Sequence, residues 1–474
     1  MPQPPYTLVI DQGGHSTRAF VFDSRLAVVA QAQARITTHH PQARFVEHDP
    51  VELGQSLATV LKSICDQLAE DVRHIHFAGL ACQRSSIVCW HKQSGEALSP
   101  VISWQDTRGV NYLDALQSSQ THIQNKTGLR LSPHYGASKM RWCLEHYSEV
   151  RSAHQAERLC IGPLATWLVV QLTGNPQAKA DAVNAARTSL MNLTEGQWDE
   201  ALCALFNVPR SVLPVIADNN AHYGEISLDG HKVPLCYVTG DQNAALFATG
   251  QPDPDVLYVN IGSGAFLQRL CESEFKPVDG LLNSLVESVD QRQLFSLEAT
   301  INGAANALDW LAQQEHVDVL SQLDEWLEQD TEALFINAVG GLAAPWWRDD
   351  LESQFIGGKD TRSHAIAVIE SIVFLVMVNM ERMAGALPKP KKIIVSGGLS
   401  QLDGLCSRLA SLADAPVYRM QETEATALGL ARCLLPGGQR KTGFDEFLTQ
   451  DDERLLARYR SWLSEMKRVT NDSQ

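Results

Sequence analysis

Asp11 stands between two apolar runs in "LVIDQGGHSTRAFVFD", with Gly13, Gly14, Ser16 and Thr17 close behind it. A carboxylate can hold a hard cation, bare glycine backbone lets N–H groups approach an oxyanion, and hydroxyls add donors. That set suits a phosphate cradle, and it is equally the make-up of a β-hairpin closed by a glycine turn. Asp241 carries a similar pair of readings. In "VPLCYVTGDQNAALF" a buried strand runs into Gly240, then Asp241, then a helix. Asp is a favoured helix cap, and the carboxyl end of a strand is also where open α/β sheets take their ligands. "KKIIVSGGLSQLDGL" repeats the arrangement with Ser396, Gly397 and Gly398, a turn on which a nucleotide could rest. "GLACQRSSIVCW" and "VISWQDTRG" bring Arg84, Ser85, Trp104, Gln105 and Asp106 to strand ends. A guanidinium fork, amides and an indole face suit a polyhydroxylated ligand. Taken singly, each segment is also explained by a surface salt bridge beside a buried Trp.

The elements that must position these residues alternate between strand and helix, the pattern of an α/β protein. Strands are expected at 6–12, 18–23, 74–81, 234–239, 256–261, 265–270 and 392–396. Helices are expected at 50–70, 298–312, 363–384 and 401–413, the third apolar nearly all round and therefore buried. An amphipathic tail helix is expected near 451–468, with Leu455, Leu456, Tyr459 and Trp462 on one side. "LVIDQGGHSTRAFVFD" and "LYVNIGSGAFLQRL" both read as strand, glycine-bearing polar turn, strand, about half a chain apart. Two domains of similar plan follow, joined through "ATGQPDPDV" at 248–256, with a ligand cleft between them.

Composition narrows the function classes. A chain of 474 residues, 44% hydrophobic and 20% charged, is a globular protein with two large domains. A formal net charge of −16 argues against a nucleic-acid or anionic-membrane surface, so an anionic substrate would need local positive groups or a metal. "MPQPPYTLVID" lacks the basic and apolar regions of a signal peptide, and "IVFLVMV" at 372–378 is too short to span a bilayer. Ten cysteines without a C-x-x-C pair fit reduced thiols in a cytoplasmic protein. The histidines of "THHP" and "VRHIHF" lack partners at metal-ligand spacing.

In series, these segments resemble the FGGY family of carbohydrate kinases, most of all its glycerol kinase branch. The resemblance runs over nearly the whole chain, through "DQGGHSTRAFVFD", "CQRSS", "WQDTR", "LSPHYGASKMRWCLEH", "DAVNAARTSLMNL", "GDQNAALF", "NIGSGAFL", "LEATINGAANALDWL", "INAVGGLAAPWW", "SGGLS" and "ETEATALGLA". It implies two ribonuclease-H-like domains of the actin and sugar-kinase superfold: an N-terminal domain at 1–250, a C-terminal domain at 254–436 and a helical tail at 437–474. The implied reaction is ATP-dependent phosphorylation of a small polyol or sugar, and the implied cofactors are ATP and Mg2+. Asp11 and Asp241 would serve the metal, with Asp241 also the general base. Gly13, Gly14, His15, Ser16, Thr17 and Arg18 would meet the phosphates from one domain, and Gly262, Ser263 and Gly264 from the other. Gly303, Gly397, Gly398 and Leu399 would complete the nucleotide site. Arg84, Ser85, Trp104, His134, Asp241, Gln242 and Phe266 would line the acceptor pocket. A homodimer is compatible with the resemblance.

Three departures bear on the substrate. Glycerol kinases carry a Glu at the position of Ser85 and a Tyr at that of His134, and Gly14-His15 replaces a hydroxyl-bearing pair. Loss of the carboxylate removes a bidentate hydroxyl acceptor and leaves room for a polyol or sugar larger than glycerol. The alternative is a non-catalytic, ligand-binding member of the same fold.

Overall fold

Two mixed sheets organise the computed structural model, which describes residues 5–177, 179–271, 275–438 and 440–471. In the first sheet, Tyr6–Gln12, Ser16–Phe22 and Val28–Arg35 run as an antiparallel meander. Ile75–Cys82 and His231–Gly240 continue the sheet in parallel on the other side of Tyr6–Gln12, and Glu225–Leu228 closes the edge. In the second sheet, Val256–Ile261, Ala265–Cys271 and Arg292–Ile301 form the meander, with Lys392–Ser396 and Val417–Met420 as the parallel pair. Leu282–Val289 and Phe444–Phe447 extend its two edges. The echo between the two hairpins therefore extends to whole sheets, as two ribonuclease-H-like domains require.

Parallel strands need crossovers, and helices supply them. Pro50–Leu68 precedes the strand Ile75–Cys82, just as Thr361–Ala384 precedes Lys392–Ser396. Each starts at an Asp whose carboxylate takes a free backbone N–H: Asp49 from Val51 and Asp360 from Ser363, both at 2.8 Å. Leu53, Leu57, Val60 and Ile64 recur at helical spacing and are buried against the first sheet. Thr361–Ala384 contains "IVFLVMV" and is long and apolar enough to cross a membrane. It lies almost wholly inside the second core.

Two sequence expectations change. The helix expected at 298–312 begins only at Ala305, and residues 298–301 finish the strand Arg292–Ile301. Asn302 and Gly303 make the turn between them, so the apolar spacing that suggested one helix spans two elements. Residues 437–474 do not stand apart as a tail. Phe444–Phe447 pairs with Val417–Met420, and helix Glu453–Thr470 buries Leu455, Tyr459, Trp462 and Met466 in the second core.

The helix Ala425–Leu434 returns to the first domain. Ala427, Leu428, Leu430 and Ala431 pack with Val9, Phe20, Phe22, Ala81 and Tyr237 on the first sheet and with Ala244 of helix Asp241–Leu246. Gly429 makes this approach possible, because a Cβ there would overlap the Ala244 carbonyl oxygen. Gly429→Ala is expected to lower stability by about 1–3 kcal/mol through overpacking. Gly54→Ala, in helix Pro50–Leu68 with open space around its Cβ, should instead raise stability by about 0.5–1 kcal/mol. Thermal unfolding of the two variants checks the pair of opposite signs.

Candidate active site between the two sheets

The two glycine turns sit at equivalent strand ends. Gly13 N–H closes the first on the Ser16 carbonyl at 3.1 Å, and Gly262 N–H closes the second on the Gly264 carbonyl at 2.8 Å. The Gly262 and Ser263 carbonyls accept N–H groups from Ala304, Ala305 and Asn306 at the start of the next helix. Gly264 is needed because a Cβ would stand 2.6 Å from the Ile301 carbonyl oxygen. Gly397, at φ +92°, has the Ile261 carbonyl oxygen 2.5 Å from where its Cβ would be. Gly303 packs on Asn337, whose amide donates to the Gly303 carbonyl at 2.8 Å. The second-domain glycines expected at the nucleotide therefore gather at the ends of neighbouring strands, and Gly398 faces open space.

Strand alternation sorts the residues of the first turn. Ser16 and Arg18 are half-buried and His15 is exposed at the tip. Thr17 points the other way: it is fully buried, and its hydroxyl is engaged by Gln12 at 2.8 Å and Ser56 at 2.5 Å. The expectation that Thr17 meets phosphate is corrected on that ground. Leu399 is likewise corrected as a side-chain contact, because its side chain belongs to the second core.

Asp11 is buried and bonded to Arg18 Nη2 at 2.5 Å, while Arg18 Nη1 reaches Glu424 of the second half. Burial, partly offset by Arg18 and reinforced by the nearby Asp241 carboxylate, pushes Asp11 up to about 6. Asp241 is also raised, by burial first, with Arg84 opposing. It is not the cap of its helix. Gly240 holds the cap position, and Asp241 Oδ1 accepts only its neighbour's N–H, from Gln242 at 2.7 Å. Oδ2 has no hydrogen bond among the described residues. Both carboxylates are hard oxygen donors, the type that suits Mg2+.

Of the expected acceptor residues, Asp241, Gln242 and Phe266 line one cavity of about 280 Å³ together with Asn260, Gln268 and Thr426. Arg84 bonds the Gln242 side chain and donates to Asn243 Oδ1 at 3.1 Å. Ser85 is buried at φ +66°. Next to it, Ser86 Oγ accepts the Trp104 N–H at 3.0 Å. His134 Nδ1 donates to the Trp104 carbonyl at 3.1 Å, which leaves Nε2 as the free ring nitrogen. Trp104 and His134 form a wall of their own and do not line the cavity.

Four side chains central to this arrangement carried no role in the sequence reading. Lys139 is fully buried and donates to the Ser103 carbonyl at 2.9 Å and the His134 carbonyl at 2.7 Å, tying together the two loops expected at the acceptor. Burial pushes its ammonium down to about 7. Glu298 of the second domain lies against Arg187 Nη1 at 3.3 Å and Arg84 Nη1 at 3.6 Å, and Ser284 Oγ donates to it at 2.7 Å. Tyr135 packs under Arg187, with 5.2 Å from guanidinium to ring centre. Only a buried charge needing a partner in the other half could have pointed to Arg187 and Glu298, and sequence alone does not reveal burial.

Two glycine turns, two carboxylates and an interdomain cavity on paired ribonuclease-H-like sheets define a phosphotransferase of the actin and sugar-kinase superfold. Comparison with known proteins agrees. Residues 6–248 match the N-terminal domain, and 257–435 the C-terminal domain, of the FGGY family of carbohydrate kinases. The glycerol kinase of Shewanella frigidimarina is 32% identical over 439 residues, covering 90% of this chain and 88% of its own. The structure of Plasmodium falciparum glycerol kinase with ADP superposes with a TM-score of 0.90 at 23% identity, covering 100% and 99% of the two chains. A xylulose kinase from Brucella ovis gives 0.86 at 19% identity, covering 98% of each. The chain belongs to the FGGY family of carbohydrate kinases and is a carbohydrate or polyol kinase.

Burial opposes the charge on Glu298, yet Arg187, Arg84 and Ser284 hold its carboxyl down to about 2, below the ordinary 4.5. Its stabilisation is therefore complete above pH 4.5 and lost as pH falls toward 2. Glu298→Gln leaves two buried guanidinium groups without their carboxylate, and a cost of about 3–5 kcal/mol is expected at pH 7. The stability gap to the parent protein should narrow between pH 4.5 and 2, as followed by thermal unfolding across that range.

Proposed function

We propose that the site transfers the γ-phosphoryl group of ATP to a hydroxyl of a small polyol or sugar, with Asp241 as general base and Mg2+ as the metal. The observation that carries this reading is the pair of carboxylates, Asp11 buried and Asp241 half-buried at the cavity, with Asp241 near enough to oppose the charge on Asp11. Asp11 and Asp241 would hold the cation, with phosphate oxygens and water completing its shell. That fits the lack, among the described residues, of any cluster of three or more His, Cys, Asp or Glu able to hold a metal alone. When bound, Mg2+ neutralises charge on the phosphates.

The residues of the chain do the rest. Backbone N–H groups at the two glycine turns bind and align the phosphates, and Arg18 adds positive charge beside them. Gln242 and Arg84 orient the acceptor. Asp241 Oδ2 is free to take the hydroxyl proton, and its raised proton affinity suits a base. Meeting of the two domains over the cavity excludes water that would otherwise take the phosphoryl group.

Asp241→Asn keeps shape and hydrogen bonding while removing the proton acceptor. Turnover should fall by about 10²–10⁴ with ATP affinity retained and the melting temperature unchanged or higher. Full activity in a coupled assay of ADP release would remove Asp241 from the base role. His15 makes no ring hydrogen bond among the described residues and stands at the exposed tip. His15→Ala is expected to raise KM for ATP several-fold, by loss of about one charge-assisted hydrogen bond, and to change KM for the acceptor much less. Initial rates with each substrate varied in turn make the comparison.

A further inference from the structure

The turn that enters helix Ala425–Leu434 touches both carboxylates of the site. Glu424, the last residue before the helix, pairs with Arg18 Nη1, while Arg18 Nη2 holds Asp11 Oδ2 at 2.5 Å. Two residues on, Thr426 lines the cavity and donates its hydroxyl to the main-chain carbonyl of Asp241 at 3.3 Å. Packing explains the placement. Val9, Phe20 and Phe22 lie on the face of the first sheet that this helix covers. Asp11 follows Val9 by two residues and Arg18 precedes Phe20 by two, so strand alternation puts both on that face. The register pairs them directly across the two strands. The guanidinium also lies over the Phe20 ring, 5.9 Å from its centre. The helix therefore starts where the covered face gives way to the cavity, and Glu424 stands at that border.

Helix capping does not account for Glu424, because its carboxylate is turned to Arg18 rather than to the free N–H groups of the helix. Nor does stability: the Arg18 and Glu424 side chains are 29% and 34% exposed, and ion pairs that open to water add little. What the pair does is give Arg18 a second carboxylate. If Asp11 serves Mg2+, a guanidinium and a divalent cation meet on one carboxylate and repel each other. Arg18 then needs another anion within reach, and Glu424 supplies it without the guanidinium leaving the strand end. Glu424 is also near enough to add to the forces that oppose the charge on Asp11. Its own negative charge therefore favours any cation held between them.

We propose that Glu424 is a positioning residue, which takes over Arg18 when Asp11 turns to the cation and keeps the guanidinium beside the phosphates. This rests on the kinase reading above. Glu424 makes and breaks no covalent bond and acts through Arg18 alone.

Calorimetric binding of ADP, with and without Mg2+, gives a ratio of dissociation constants that measures how readily the site accepts the cation. In Glu424→Ala, Arg18 is left with Asp11, and the ratio should fall about tenfold, the loss of one hydrogen bond between charged groups. Glu424→Gln should give a smaller fall in the same direction. KM for the acceptor should move less than about twofold in either variant, since uniform binding of that substrate is untouched. Melting temperatures should stay within about 2 °C of the parent protein. The fall should vanish in an Arg18→Met background, because a residue that acts through another adds nothing once its partner is gone. An unchanged ratio in Glu424→Ala, or an equal fall in the Arg18→Met background, overturns the proposal. Asp11→Asn separates it from the reading beneath. Loss of the Mg2+ response there, beside an intact response in Glu424→Ala, rejects the role of Glu424 only. An intact response in Asp11→Asn, or none in the parent protein, rejects Asp11 as the residue of the metal, and the proposal with it.

Discussion

A carboxylate with no exposed surface needs its counter-charge within reach, and Glu298 finds it only in the other half of the molecule. That constraint fixes how the two sheets meet. Arg84 and Arg187 come from separate parts of the first domain, one after the strand Ile75–Cys82 and one after the short helix Ala182–Ala186. Their shared partner sits mid-strand in the second sheet. Since Arg84 also holds Gln242 and Asn243, the helix that begins with Asp241 is placed by the same set of charges. The Asp241 side of the cavity, proposed for the acceptor, is therefore organised from the domain contact outward.

The glycine turns proposed for the phosphates follow a different logic. Gly264 and Gly397 of the second domain are required by close backbone approach at Ile301 and Ile261, Gly13 and Gly14 of the first meet only ordinary contacts, and both turns are closed by main-chain hydrogen bonds. Such a surface can be repeated in two domains without repeating a side chain. The acceptor side, built from charged groups shared across the contact, exists once. Tip geometry is therefore duplicated and chemistry is not, which suits an enzyme whose nucleotide is common and whose acceptor is particular.

The division also explains what could be read from the sequence. Glycine turns between apolar runs leave a local signature, so both hairpins, Asp11 and Asp241 are legible, and with them the fold class. Thr17 could have been set aside by alternation, because Thr17, Ala19 and Val21 share the buried face of their strand. Glu298 was hidden by spacing: "SLEATINGAANALDWL" keeps a helical apolar rhythm through a strand, a turn and a helix. Arg187 and Lys139 have no local signature at all. What distinguishes them is burial among particular neighbours, a property of the folded pair of domains.

The return of helix Ala425–Leu434 has a consequence for how the protein is made. One face of the first sheet is completed by Ala427, Leu428, Leu430 and Ala431, residues translated after nearly all of the second domain. Domains of most chains can fold in turn as they leave the ribosome. Here the opening domain emerges with Val9, Phe20, Phe22 and Tyr237 uncovered, and it stays so until the second domain has been synthesised. Neither half is a transferable unit: a break at the crossover near residue 250 would separate the first sheet from its own cover. Exchange of whole domains between relatives would have to carry this helix with the sheet it serves, not with the stretch of sequence that precedes it.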